Sequence, residues 1–276
     1  MEIKKSQNYF MKIEFKKNML VGTVLTITLL GLWKIFNPYN CLAWLFPIFV
    51  TLIIGYGQFE FLMIRRRCEV NCMLKPGSWM YKLLTGKSLV LVITILSTCV
   101  VSIPLISFIA LAGIIDILFV LLSLLITAIL FGYINKISSK HLNSEIKIAV
   151  IKRIDIVISL IIMVLIYSVL SIYFIPLPSY LDTGSFQETL NVASQEVASV
   201  CPSINFFLKI AMEVEAALFY GLVFGSSSTN FNGYSGVFWV LFFVNNAFVF
   251  SGLARLQLEL STMSGKLLDM ISEKKN

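Results

Sequence analysis

Six long apolar runs alternate with short polar connections along the chain. A helix needs about 20 mostly apolar residues to cross a bilayer, and each run approaches or exceeds that length. The pattern therefore predicts an all-α integral membrane protein with a single polytopic domain over residues 1–276. The predicted transmembrane spans cover residues 19–36, 41–64, 88–110, 114–133, 156–175 and 237–254.

The composition agrees with a membrane protein. Hydrophobic residues make up 58% of the chain and charged residues 13%, whereas soluble domains average about 45–50% and about 25%. The formal net charge of +7 is not a nucleic-acid signal, because the basic residues lie in the connections between the spans. We therefore expect the partner surface to be a lipid bilayer and expect no nucleic acid.

The charge of the connections predicts the orientation. Residues 1–18, 65–87 and 136–153 carry five, six and five Lys or Arg residues, whereas the intervening connections 37–40, 111–113 and 176–203 carry none. Basic connections stay in the cytoplasm. We therefore expect a multi-pass protein of the plasma (inner) membrane with both termini cytoplasmic.

Both terminal segments are amphipathic. Residues 1–18 mix five lysines with aromatic and aliphatic residues, which favours a helix lying in the membrane interface over a disordered basic tail. Residues 255–276 are predicted to form a cytoplasmic helix that continues from the last span.

Residues 187–225 are predicted to form outer partial helices. The apolar run 204–225 contains Lys209, Glu213 and Glu215, and each such residue costs about 2.5–3.5 kcal/mol at the bilayer centre. A seventh span would also place the basic C-terminal segment outside. We therefore favour a re-entrant hairpin on the outer face over seven full spans.

The three charged residues of this run form a candidate outer gate. Lys209 and Glu213 are four residues apart and could pair on one helix face, whereas Glu215 faces another side. The alternative is that these charges only hold the partial helix near water.

The five cysteines do not suggest a disulfide framework, although Cys41 and Cys201 fall near the predicted outer face. No metal site is predicted, because Cys68 and Cys72 have no further ligands nearby in the sequence. Glu60, in the last turns of the second span, is expected to pair with the arginines at 65–67.

The longest polar connection of the first half, residues 65–87, is interpreted as a docking element. Pro76 and Gly77 break it into short segments, and its aromatic and aliphatic residues are typical interface anchors. The predicted membrane anchors are Arg65, Arg66, Arg67 and Lys87. The predicted partner contacts are Glu69, Met73, Leu74, Pro76, Ser78, Trp79, Tyr81, Leu83 and Leu84. The alternative is an ordinary basic loop on the membrane surface.

The whole architecture resembles the permease subunits of ABC-2-type exporters. That family has an N-terminal interfacial helix, six spans, a cytoplasmic coupling helix between spans two and three, and an outer re-entrant hairpin between spans five and six. Its coupling motif matches this chain at Glu69, Met73-Leu74, Pro76, Ser78, Leu83-Leu84 and Gly86-Lys87. The acidic-basic-acidic opening usual in the family is reduced here to Glu69 behind three arginines.

The resemblance implies a homo- or heterodimeric permease that exports an amphipathic peptide, antibiotic or lipid-linked molecule. The chain itself is not expected to be an enzyme, since Gly86-Lys87-Ser88 lacks the earlier glycine of a phosphate-binding loop. We expect no cofactor on this chain, and we expect ATP and Mg²⁺ on separate ABC ATPase subunits.

Two other function classes stay open. One is a membrane scaffold or sensor without transport activity. The other is an ion-coupled carrier, which needs a carboxylate within the membrane, and here only Glu213 and Glu215 are candidates. The lack of charged residues within the predicted spans argues against a small hydrophilic ion as cargo.

Overall fold

The computed structural model describes most of the chain. Its backbone is described over residues 2–73, 87–138, 144–173, 178–183, 185–224 and 235–273. Side chains are described over residues 17–63, 88–138, 148–171, 178–181, 185–224 and 236–267.

The described residues form α-helices joined by turns, with two short 3-10 helices and no strand. The α-helices are α1 (Glu2–Phe36), α2 (Leu45–Met73), α3 (Lys87–Leu111), α4 (Ile114–Ser138), α5 (Ser144–Tyr173), α6 (Phe186–Gln195), α7 (Pro202–Phe224) and α8 (Ser235–Glu273). The 3-10 helices are Cys41–Trp44 and Ser179–Thr183.

Six of these helices are long and apolar enough to cross a membrane. The candidate spans are Lys17–Phe36, Cys41–Met63, Ser88–Leu111, Ile114–Ser138, Ile148–Ser171 and Gly236–Leu267. The prediction of an all-helical protein with six such helices is confirmed. The helix α7 is not among them, and its sequence contains Lys209, Glu213 and Glu215.

Two candidate spans include residues beyond the predicted ones. The fifth includes Ile148 and the sixth includes Leu267, whereas the predictions were 156–175 and 237–254. The helix α1 continues through residue 18 without a break. The charged residues that suggested earlier boundaries are accommodated inside the bundle, where Lys152 of α5 pairs with Glu259 of α8.

The six spanning helices run antiparallel in chain order, so the bundle has two ends. One end, here the basic end, holds the residues around Lys17, Met63, Ser88, Ser138 and Leu267. The opposite end, here the disulfide end, holds the connections from α1 to α2, from α3 to α4 and from α5 to α8.

A large apolar core joins the spanning helices. Its fully buried side chains include Trp33, Ile54, Leu105, Met163 and Leu253. Many leucines on the outer faces are exposed, such as Leu96 and Leu165. Such faces suit a lipid environment, where apolar side chains need no protein cover.

The helices α1 and α8 pack most closely. A β-carbon on residue 22 would lie 2.6 Å from the backbone nitrogen and Cα of Ser261. Glycine at position 22 is therefore what lets the two backbones approach. Gln257 Nε2 of α8 donates hydrogen bonds to Thr23 Oγ1 of α1 at 2.8 Å and to the Leu124 carbonyl of α4 at 2.9 Å.

The helices α6 and α7 have an apolar cluster of their own at the disulfide end. Tyr180, Leu181, Ala193 and Ala216 are buried together there. The start of α7 joins the main core through Ile204 and Leu208. The pair is therefore packed on the bundle.

A disulfide between Cys41 and Cys201 ties the start of α7 to the connection between α1 and α2. The expectation that no disulfide framework exists is wrong for this pair. Hydrogen bonds strengthen the same junction: Ser199 Oγ donates to the Asn37 carbonyl at 2.7 Å, and Trp44 Nε1 donates to Ser203 Oγ at 2.9 Å. The pairing was not predicted from the sequence, because the two cysteines are 160 residues apart.

Candidate functional site

A cavity of about 880 Å³ opens among α1, α2, α3, α4, α5 and α8 at the basic end. Its volume falls within the range of sites for small molecules and cofactors. Apolar side chains form much of its wall: Met19, Ile54, Phe61, Leu62, Ile93, Phe131, Ile148, Ile151, Ile156 and Val157. Its charged lining residues are Glu60, Lys152, Arg153, Arg255, Glu259 and Lys266.

A partly buried ion pair crosses the cavity from α5 to α8. Lys152 Nζ lies 2.9 Å from Glu259 Oε2 and donates a second bond to Thr262 Oγ1 at 3.0 Å. Glu259 fits there because position 57 is glycine, and a β-carbon at that position would overlap the Glu259 carboxyl group. The absence of a side chain on α2 therefore makes room for the charge on α8.

A second ion pair lies at the exposed rim of the cavity. Lys266 Nζ of α8 is 3.4 Å from Glu60 Oε1 of α2, and both side chains are well exposed. Glu60 was expected to pair with the arginines at 65–67, whose side chains lie outside the described residues; among the described residues its partner is Lys266. An exposed pair of this kind contributes at most about 1 kcal/mol.

The remaining charged residues of the lining are arginines. The Arg153 guanidinium lies 5.6 Å from the centre of the Phe61 ring, a cation–π contact between α5 and α2. Arg255, on α8, is half-buried and lies within electrostatic range of Glu259 and Arg153. Among the described residues, neither arginine shares an ion pair within 4.0 Å with a carboxylate.

Gln58 of α2 adds a polar group to the same wall. Its carbonyl oxygen accepts hydrogen bonds from Ser97 and Thr98 at 2.6 and 3.3 Å, which holds the amide in place. Its Nε2 atom is buried and has no acceptor. The cavity thus combines apolar walls with a few fixed polar groups, a combination suited to an amphipathic molecule.

A second polar feature lies deeper in the bundle, at Asp155 of α5. This residue is fully buried, and its polar neighbour is Ser159, one helical turn away. Two further buried oxygens lack hydrogen-bond partners: Thr127 Oγ1 and Gln257 Oε1. The premise that the spans contain no charged residues is therefore wrong, since Lys152, Arg153, Asp155, Arg255 and Glu259 lie within candidate spans.

The predicted docking segment falls mostly outside the described residues. Leu74, Pro76, Ser78, Trp79, Tyr81, Leu83 and Leu84 all lie in the part of the chain that is not described. Arg65, Arg66, Arg67, Glu69 and Met73 belong to the α2 backbone, and Lys87 begins α3, but their side chains are not described.

The candidate outer gate is divided by the structure. Glu213 is exposed and Lys209 is half-buried, and no ion pair joins these two described residues. Glu215 is partly buried, and burial together with the Asp116 carboxylate raises the pKa of Glu215 to about 7. Asp116 in turn accepts hydrogen bonds from Tyr167 Oη and the Gly113 amide, at 3.0 and 2.8 Å. Glu215 therefore belongs to a different environment from Lys209 and Glu213.

Sequence reasoning missed the cavity, although part of its signal was present. Arg255 and Glu259 are one helical turn apart, as are Lys152 and Ile156, so a helix continued through them would place charged and apolar residues on shared faces. No sequence pattern indicated that α2, α5 and α8 meet there. Among the described residues, no group of three or more His, Cys, Asp or Glu side chains could hold a metal ion.

Comparisons of the chain with protein-family models, curated proteins and solved structures gave no match. The features that bear on function are the cavity at the basic end, the buried Asp155, and the α6–α7 pair at the disulfide end.

Proposed function

We propose that this chain is the transmembrane subunit of an ATP-driven exporter of the ABC-2 permease type. It would work as a homo- or heterodimer with separate ABC ATPase subunits, and it would move an amphipathic molecule out of the cytoplasm or the inner leaflet. The observation that best supports the proposal is the α6–α7 pair, which lies between the fifth and sixth candidate spans.

The pair has the features expected of an outer re-entrant hairpin. The helix α7 is 23 residues long but carries three ionisable residues, so a full crossing would be costly. Its end packs against the beginning of α8, where the ring centres of Phe219 and Phe242 are 5.8 Å apart. Its start is held by the Cys41–Cys201 disulfide. A backbone covered by protein in this way can enter the membrane without crossing it.

Two independent arguments support the same orientation. Disulfides persist in oxidising compartments, which favours the disulfide end facing outward. The basic connections lie at the opposite end, where the positive-inside rule places them in the cytoplasm. Residues 65–87 would then form the cytoplasmic coupling helix, and residues 1–18 would rest in the inner interface.

The mechanism follows from this arrangement. ATP and Mg²⁺ would bind to the ATPase subunits, whose closure would push the coupling segment around Pro76. That push would tilt spans one, two and five at the dimer interface. The cavity at the basic end would receive the cargo before this step, because its apolar walls and fixed polar groups face the side from which the cargo enters.

Replacement of Pro76, Trp79 and Tyr81 by alanine is the direct test of coupling. We expect loss of ATPase binding and of substrate-stimulated ATP hydrolysis, because the interface anchors would be removed. Co-purification and ATPase assays in nanodiscs measure both. Tyr39→Ala is the control, since Tyr39 is an exposed aromatic residue at the disulfide end. Unchanged partner binding and stimulation in the triple variant would rule out the coupling role.

An ion-coupled carrier is the second candidate, and Asp155 is the observation that favours it. A buried carboxyl group within a span is a typical element of ion-translocating proteins. The earlier candidates for this role, Glu213 and Glu215, lie on α7, outside the candidate spans.

Asp155→Asn separates the two candidates, because it removes the ionisable group but nearly keeps the side-chain shape. For an exporter driven by ATP, we expect transport to stay within about twofold of the unchanged chain, as for a residue that acts only structurally. Vesicle transport assays with ATP or with an imposed proton or sodium gradient measure the difference, and Ser168→Ala, at a buried serine further along the same helix, is the matched control. Loss of gradient-driven transport in Asp155→Asn alone would favour the carrier.

A further inference from the structure

We propose that the cavity at the basic end binds an anionic amphiphile, whose headgroup is held by Arg153 and Arg255. The proposal deepens the proposed function, because it names the charge class of the cargo. It rests on that function only for transport, whereas binding can be tested on this chain alone.

The charges of the lining do not balance. The cavity is lined by four cationic residues and two carboxylates, which leaves a net charge of 4 − 2 = +2. Each carboxylate is already paired with a lysine: Glu259 with Lys152 and Glu60 with Lys266. The excess positive charge therefore belongs to Arg153 and Arg255.

The two arginines line the cavity beside neighbouring parts of α2. Arg153 stacks on Phe61, which is three residues beyond Gln58. Arg255 is one turn before Glu259, whose carboxyl group lies against Gly57. The charges of Arg153 and Arg255 are close enough to act on each other. Two like charges at the edge of an apolar cavity repel each other, and an anion between them removes that repulsion.

Both arginines line the cavity and bring hydrogen-bond donors to it. A guanidinium carries five N–H donors and no acceptor, and its planar fork matches phosphate and carboxylate oxygens. A cationic or neutral headgroup would leave these donors unsatisfied, whereas a phosphate or carboxylate accepts from them.

The apolar part of the wall supplies a place for a hydrocarbon tail. Ile54, Ile93, Ile148 and Ile156 come from three helices and face the same space. A buried methylene group contributes about 0.8 kcal/mol. The ligand is therefore an anionic headgroup with an acyl or alkyl chain, from either a membrane phospholipid or a free single-chain amphiphile.

The test measures binding of dodecyl phosphate to the purified chain in nanodiscs of neutral lipid. Dodecyl maltoside and dodecyltrimethylammonium have the same tail with a neutral and a cationic headgroup. We expect dodecyl phosphate to bind most tightly, and we expect Arg153→Gln/Arg255→Gln to weaken it by about tenfold or more, as for lost charge-assisted hydrogen bonds. Arg153→Lys/Arg255→Lys should recover part of the affinity, because it keeps the charge but not the fork.

Lys17→Gln is the control for general electrostatics. Lys17 is exposed at the basic end but does not line the cavity. We therefore expect the Lys17→Gln chain to bind dodecyl phosphate with an affinity within about twofold of that of the unchanged chain. Equal binding of the three amphiphiles would overturn the proposal, as would equal losses in Lys17→Gln and the double glutamine variant. If circular dichroism shows that the double glutamine variant has lost helicity, the double lysine variant is tested in its place. Unchanged binding of dodecyl phosphate in both double variants would also overturn the proposal.

A second arm identifies the source of the ligand. Phosphatidylglycerol is added to the neutral nanodiscs, and the lipid retained by the chain is counted by native mass spectrometry. Retention that is lost in the double glutamine variant assigns the site to membrane phospholipid, and binding of dodecyl phosphate without retention assigns it to free amphiphiles. Either result supports the site. Because no ATPase is present, a failure of the exporter proposal would show in the coupling test and leave this result unaffected.

Discussion

Loss of the Cys41–Cys201 disulfide is expected to lower the stability of the chain by about 2–4 kcal/mol. The bond closes a loop of 160 residues, and in chain-entropy models a long loop gives a large reduction in unfolded-state entropy. It also joins the start of α7 to the connection between α1 and α2. Its removal should therefore loosen the α6–α7 pair more than the rest of the bundle.

Three variants separate the bond from the loss of a sulfur atom. Cys41→Ser, Cys201→Ser and the double variant should show the same lowered Tm, because each breaks the same bond. Cys99→Ser is the matched control, since Cys99 is a free, partly buried cysteine. Thermal unfolding of the purified chain, with and without reductant, measures all four. Additive effects of the two single variants, or a wild-type Tm that does not respond to reductant, would contradict the prediction.

Gly22→Ala is expected to destabilise the chain by about 1–3 kcal/mol, the usual effect of forcing an extra carbon into a packed contact. The new β-carbon would lie 2.6 Å from backbone atoms of Ser261. A backbone cannot rotate away as a flexible side chain can. The helices α1 and α8 would have to separate, which would also weaken the bonds of Gln257.

Gly31→Ala is the matched control on the same helix. A β-carbon at residue 31 meets nothing within 4 Å, and alanine favours a helix interior over glycine by about 0.5–1 kcal/mol. The same added methyl group should therefore lower the Tm at position 22 and leave it unchanged or raise it at position 31. Equal shifts at both positions would show that α1 and α8 do not approach closely there.

The pattern of apolar and polar residues predicted the helices whose length is set by the lipid bilayer. Apolar runs of sufficient length form spanning helices whichever partners they later meet, because an unpaired backbone cannot remain in lipid. The same reasoning favoured six spans over seven, since Lys209, Glu213 and Glu215 fall in one short run. These conclusions needed only the local balance of apolar and charged residues.

Charged residues set the limits of the predicted fifth and sixth spans. In the folded chain Lys152 pairs with Glu259 between two helices, and both residues lie within candidate spans. Lys266, which pairs with Glu60, likewise comes from a helix 206 residues later in the chain, a separation that the sequence pattern does not reveal.

The sequence by itself determined that this protein is all-helical, with six helices long and apolar enough to span a membrane and with basic connections between them. Only the tertiary structure decided which residues share a site. It joined Cys41 to Cys201, placed Glu259 against Gly57, and brought Arg153 and Arg255 to one cavity wall. Helix formation is set by local contacts and by the surrounding lipid, whereas a site depends on contacts between helices far apart in sequence.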